Sequence, residues 1–167
     1  MNALISPAKH TLKSSLKEDT MTQQLHAKSD MPLTKLRDSN LELEDDRQDI
    51  RGRSVVDQDG KTVGHVRALF IDSSERKVRV LDIAGGGFLG MGDQHFLLPI
   101  DAITKVDKAK VHVNETADRI QHSPVYDPEL ITAYNQHYWA PYYGYYGSSP
   151  YWSAGYRYPN YRNWYNY

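Results

Sequence analysis

The glycines of Gly85-Gly86-Gly87-Phe88-Leu89-Gly90 have the G-x-G-x-x-G spacing with which a backbone can cradle a pyrophosphate. That chemistry also needs a helix N-terminus directly after the last glycine, where free amides and the helix dipole receive the phosphate. Here Met91-Gly92-Asp93-Gln94 leads instead into an apolar run that ends at Pro99. The stretch is therefore predicted to be a wide loop between strands, and no cofactor is expected. Its Phe88, Leu89 and Met91 have two readings. They form a lid over the core, the favoured one, or an exposed apolar contact for a partner.

Other chemistry finds less support. The seven His, at 10, 26, 65, 95, 112, 122 and 137, show neither H-x-H nor H-x-x-x-H spacing, so no metal site is expected. Asp72, Asp82, Asp93 and Asp101 fall at predicted strand ends and turns, where carboxylates usually accept from turn amides. Ser54, Ser73 and Ser74 lack the setting of a nucleophile elbow. With no Cys, thiolate nucleophiles and disulfide frameworks are excluded. No catalytic residue is nominated, and the chain is not expected to be an enzyme.

The most biased segment is the C-terminal one. From Tyr134 onward, 34 residues hold 12 of the 13 Tyr and all 3 Trp, with Arg157 and Arg162 as the only charges. Each ring offers a stacking face and a polar tip, which suits self-association or a partner surface. Tyr142, Tyr143, Tyr145, Tyr146, Tyr151 and Trp152 are the candidate contacts there. Single-stranded nucleic acid could stack on the same rings, but two Arg make a poor electrostatic groove. The net charge of −1 likewise gives no basic stripe for phosphate binding.

The elements that must position these groups are strands. Strands are predicted over Arg53–Asp57, Thr62–Asp72, Lys77–Ala84, His95–Ile100, Ile103–Val106 and Lys110–Asn114, followed by one helical turn within 115–121. Asp57-Gln58-Asp59-Gly60 is a hairpin turn in which Gly60 takes positive φ. Gly64 marks a bulge or a close backbone approach. Val63, Leu69 and Ile71 oppose Val66 and Phe70, so the second strand must bend across a small core or be covered on both faces. Six short strands with close turns give an all-β fold, a small barrel.

Residues 1–49 are polar and expected to be mostly disordered, residues 50–130 form the domain, and residues 131–167 form a Tyr/Gly/Pro-rich tail without the aliphatics for a core of its own. Nothing approaches the roughly 20 apolar residues of a membrane span, and the first residues do not resemble an export signal, so the expected location is cytoplasmic.

With the strands placed, the blocks Asp49-Ile-Arg-Gly-Arg-Ser-Val-Val-Asp-Gln-Asp-Gly-Lys-Thr-Val-Gly-His-Val66, Leu69-Phe-Ile-Asp72, Arg76-Lys-Val-Arg-Val-Leu81, Gly86-Gly-Phe-Leu-Gly90, Leu98-Pro-Ile-Asp-Ala-Ile103 and Tyr126-Asp-Pro-Glu-Leu130 occur in order. Together they resemble the PRC-barrel family over about residues 50–130. That family includes the cytoplasmic domain of the photosynthetic reaction centre H subunit and the C-terminal domain of ribosome maturation factors. The chain shows neither the membrane helix of the first nor the separate N-terminal barrel of the second, and is more similar to stand-alone bacterial members. The resemblance implies a small β-barrel that docks a protein partner or a second copy of itself. An RNA-linked role, or that of a reaction-centre H-like accessory subunit, is the alternative it implies.

Overall fold

The computed structural model describes residues 33–85, 94–128, 136–160 and 164–165, with the backbone of 5–7. Three short strands precede the predicted ones: β1 (Ile5–Pro7), β2 (Thr34–Lys35) and β3 (Leu41–Leu43). They are followed by β4 (Ser54–Val56), β5 (Thr62–Asp72), β6 (Lys77–Gly85), β7 (Gln94–Pro99), β8 (Ile103–Val106) and β9 (Lys110–Val113). Among the described residues two helices follow, α1 (Ala117–Gln121) and α2 (Gln136–Tyr146). The predicted strands are present within a residue or two of their expected ends.

The main sheet runs β7-β6-β5-β4-β9-β8, and β2 pairs with the far end of β5. Only β4 and β9 are parallel among these neighbours. The two end strands, β7 and β8, are consecutive in sequence and joined by the single 3-10 turn Ile100–Ala102. A sheet whose ends are tied so closely rolls up around one core, and Val55, Leu69, Leu81, Leu98, Val106 and Val111 are among its fully buried residues.

The mixed parity of β5 has two physical causes, and both anticipated outcomes occur. Pairing skips Val63 against β4 and Arg67 against β6, so Val63, Val66, Leu69 and Ile71 all reach the barrel interior. Pairing also skips Arg79 of β6, since Phe70 faces Val80 while Ile71 faces Val78. Such bulges bend a strand and re-aim its side chains. Phe70 and Val80 are left pointing outward with Leu97, and there a second layer covers them.

That layer is the aromatic tail, which corrects the expectation that the tail serves no aliphatic core. Trp139, Tyr142, Tyr143 and Tyr146 lie on one face of α2, at i, i+3, i+4 and i+7, and all four are buried. The first three close over Phe70, Val80 and Leu97, with Tyr126 and Leu33 completing the cluster. Tyr146 and Trp164 belong instead to the barrel core. The Val106 amide donates to the Trp164 carbonyl at 2.6 Å and Tyr165 bridges to Val106, so residues 164–165 cover the outer edge of β8.

The end of the N-terminal segment belongs to the fold. Residues 1–4 and 8–32 lie outside the described residues, but from Leu33 the chain is built into the fold. Leu33 and Leu36 are buried, and Leu41 and Leu43 pack against the barrel core. Their spacing fits no single period because short strands and 3-10 turns carry them one at a time.

Two glycines behave as their surroundings require. Gly60 has φ of 82° and closes the β4–β5 turn, where the buried Asp57 carboxylate accepts from the amides of Asp59 and Lys61. Its other oxygen accepts from Ala117 N at 2.9 Å, tying that turn to the start of α1. At Gly64 the predicted close approach is to β6. A Cβ there would run into the Ala84 carbonyl and lie 2.9 Å from the Gly85 Cα. Because the obstacle is paired backbone, Gly64→Ala is expected to cost about 1 to 3 kcal/mol, the usual range for overpacking. Urea unfolding should show a lower midpoint at unchanged m-value; a midpoint equal to that of the parent chain rules out the close contact as a constraint.

Candidate functional site

The turn between β5 and β6 and the segment after α2 together form a cleft of about 540 Å³. Its floor is Arg79, the residue skipped by the strand pairing. The Arg79 side chain is only 1 % exposed, although the residue sits between Val78 and Val80 near one end of a strand. Nη2 donates to Glu75 Oε2 at 2.7 Å and lies 3.5 Å from Asp72 Oδ2. Tyr rings surround the rest of the guanidinium, whose carbon is 4.6 Å from the Tyr151 centroid, 5.2 Å from Tyr158 and 5.6 Å from Tyr156. Among the described residues Nε and Nη1 have no hydrogen-bond partner, and ring faces stand where acceptors would otherwise be.

Each partner of Arg79 is itself fixed. Asp72 Oδ1 accepts from the Ser74 and Glu75 amides at 3.0 and 3.1 Å and from the Ser74 hydroxyl at 2.6 Å. This is the turn-capping role expected for that carboxylate, and Arg76 closes the turn with φ of 52°. Tyr158 donates to the Val78 carbonyl at 3.0 Å, and Tyr156 donates to Asp101 Oδ2 at 3.3 Å. Lys77 Nζ lies 5.2 Å over the Tyr158 ring and 3.4 Å from Glu75. Among the described residues, two cations and two carboxylates thus leave the wall of the cleft without net charge.

The ionisation of these groups follows from their surroundings. Burial works to raise the Glu75 carboxyl, but the charges of Arg79 and Lys77 outweigh it and hold the group below its ordinary value. Burial pushes the Tyr151 hydroxyl up to about 12. It also raises Tyr156, Tyr158 and Tyr143 well above the ordinary phenol. All four phenols therefore stay neutral donors throughout the physiological range.

The sequence candidates divide into four groups. Phe88, Leu89 and Met91 lie outside the described residues. Tyr142, Tyr143 and Tyr146 are buried in the chain's own core, with the Tyr142 hydroxyl donating to the Val125 carbonyl at 3.0 Å. Tyr145 is half-buried but engaged with α1, donating to the Arg119 carbonyl at 2.7 Å while Arg119 donates to the Tyr145 carbonyl at 2.8 Å. Tyr151 and Trp152 remain. They are half-buried at the cleft, edge to face, with ring centroids 4.9 Å apart at 86°.

Arg79, Tyr156 and Tyr158 were not among the candidates. A signal for Arg79 was present, because the apolar parity of β6 changes between Val78 and Leu81, and an extra residue in that interval is one of the two arrangements that produce such a change. A second juxtaposition also escaped the sequence reading. His95 Nδ1 lies 2.8 Å from Asp82 Oδ1 across the β6–β7 pair, with Asp82 1 % exposed and the Tyr126 ring edge-on to the imidazole at 5.9 Å. Asp82 therefore serves a buried strand-to-strand contact rather than a turn.

Residues 43–120 match the family model for the PRC-barrel domain. No curated protein matches the chain. The matched span runs from the end of β3 into α1, so the aromatic layer and the cleft wall formed by residues 151–158 lie outside what the family model describes, whereas Asp72, Glu75, Lys77 and Arg79 lie within it.

Proposed function

Residues 43–120 make this chain a member of the PRC-barrel domain family, a protein-interaction fold, and from that premise we propose that it is a non-enzymatic adaptor whose barrel carries a docking surface built by its own tail. One observation carries the reading. Tyr151 and Trp152 line the cleft, packed on Tyr143 and on one another, and neither their hydroxyl nor their indole N–H has a hydrogen-bond partner among the described residues. Aromatic rings that pack on one side and keep a free polar tip are typical anchors of protein interfaces. The Arg79 cluster fixes Tyr151 before any partner arrives, which reduces the entropy cost of docking.

The stacking of RNA on the tail, the other reading, has less to rest on. Trp139, Tyr142, Tyr143 and Tyr146 turn their faces into the protein, and the cleft wall carries no net positive charge. Among the described residues no helix is long and apolar enough to cross a membrane.

The experiment is native purification of the full-length chain, with light scattering of the product, beside Trp152→Ala. A bound partner or a second copy is expected for the parent and is expected to be lost in the variant, with both melting cooperatively. A parent chain that is monomeric and purifies with no partner would count decisively against the adaptor reading.

A further inference from the structure

We propose that the cleft between the β5–β6 turn and residues 151–158 binds a proline-rich segment in the polyproline II conformation, a deepening of the adaptor reading that rests on it. Three properties of the site point to that ligand. The first is shape, since the Tyr151 and Trp152 rings stand at 86° to one another and so present a ridge beside a slot. Pyrrolidine rings, projecting at three residues per turn from a stiff backbone, fit alternating ridges and slots of aromatic surface.

The second is hydrogen bonding. A polyproline II segment has no internal hydrogen bonds, and its prolines lack N–H, so it offers carbonyl acceptors and needs donors. The cleft supplies the Tyr151 hydroxyl and the Trp152 indole N–H, both without partners among the described residues, with the Lys77 ammonium beside them. Burial raises the Tyr151 hydroxyl above the ordinary phenol, so it stays a donor in the physiological range.

The third is charge. Asp72 and Glu75 are balanced by Lys77 and Arg79. An uncharged strand loses nothing there, whereas a polyanion gains no attraction. The ligand is also already ordered, as is the cleft, so little conformational freedom is lost by either side on association.

The test uses the full-length chain and fluorescein-labelled decaproline in an anisotropy titration, with a Gly/Ser decapeptide as control. Saturable binding of decaproline alone is expected. Tyr151→Phe, which keeps the ring and removes the hydroxyl, is expected to weaken it by about 2- to 10-fold, the equivalent of one hydrogen bond, and Trp152→Phe, which removes the indole N–H and part of the aromatic surface with it, by at least as much. Equal binding of the two peptides, or variants that bind like the parent, overturns the proposal. Binding of maltoheptaose or polyuridine that depends on these donors, with decaproline silent, also overturns it and assigns the cleft to sugar or RNA. If a native partner is lost on Trp152→Ala while decaproline fails to bind, the polyproline assignment falls and the adaptor reading stands.

Discussion

A chain ending at Leu130 is expected to lose its cooperative fold, or to melt at least roughly 12 °C below the full-length protein. The truncation removes Trp139, Tyr142, Tyr143, Tyr146 and Trp164, all buried, and uncovers Leu33, Phe70, Val80 and Leu97. Deleting a single buried aromatic side chain costs about 3 to 5 kcal/mol, and a whole domain is stable by only about 5 to 15. Ordering the tail costs conformational entropy, so the net loss is far smaller than the sum of these burials. A net loss of about 3 kcal/mol still lowers Tm by roughly 12 to 24 °C in a domain this small.

Loss of the tail also leaves an apolar sheet face in water, and such a face promotes association. Circular dichroism melts and light scattering of the two chains decide the matter. Equal melting temperatures, with a monodisperse truncated monomer, would show that the aromatic layer adds no stability.

The barrel was legible in the sequence because its signals are local. Turn residues such as Gly60 and the apolar runs between them each act over a few positions, and Gly60 takes the positive φ expected of it while β7 lies within a residue of its expected ends. Gly64 announced a close contact for the same reason, since the absent Cβ is visible without knowledge of what would strike it. The second layer failed this test in an instructive way. Its residues do carry a helical period, from Trp139 to Tyr146, but Tyr, Gly and Pro are poor helix formers and Pro141 lies inside the helix. Burial against Phe70, Val80 and Leu97 offsets the poor propensity, and that face exists only once β5 and β6 have paired with a bulge at Arg79. The candidate site was half legible for the same cause. Tyr151 and Trp152 were conspicuous as ring types, whereas the cation that holds Tyr151 in place comes from a strand more than 70 positions earlier.

That cation should show the second large effect. Arg79→Ala is expected to cost about 3 to 5 kcal/mol, because removing one partner of a buried pair leaves the other uncompensated. Asp72 is left 8 % exposed and without its guanidinium, and three tyrosines lose the charge they enclose. Arg79→Lys should recover only part of this, since an ammonium cannot lie flat against Tyr151 while donating to Glu75.

The pH dependence separates charge from packing. In the parent, Glu75 titrates below its ordinary value, so it contributes stability that is present above the unfolded value and lost as pH falls through the folded one. Arg79 is the leading influence that lowers it, against the opposing effect of burial. In Arg79→Ala the carboxyl moves back up, and protonating it in the folded state becomes easier. The stability difference between parent and variant should therefore shrink as pH falls from 7 toward 4. The double variant Arg79→Met with Glu75→Gln, which fills the volume and removes the carboxylate, should melt above Arg79→Ala. A deficit that is constant from pH 7 to 4, and a double variant no better than Arg79→Ala, would reduce Arg79 to a space-filling residue and remove the electrostatic reason for the tail to close where it does.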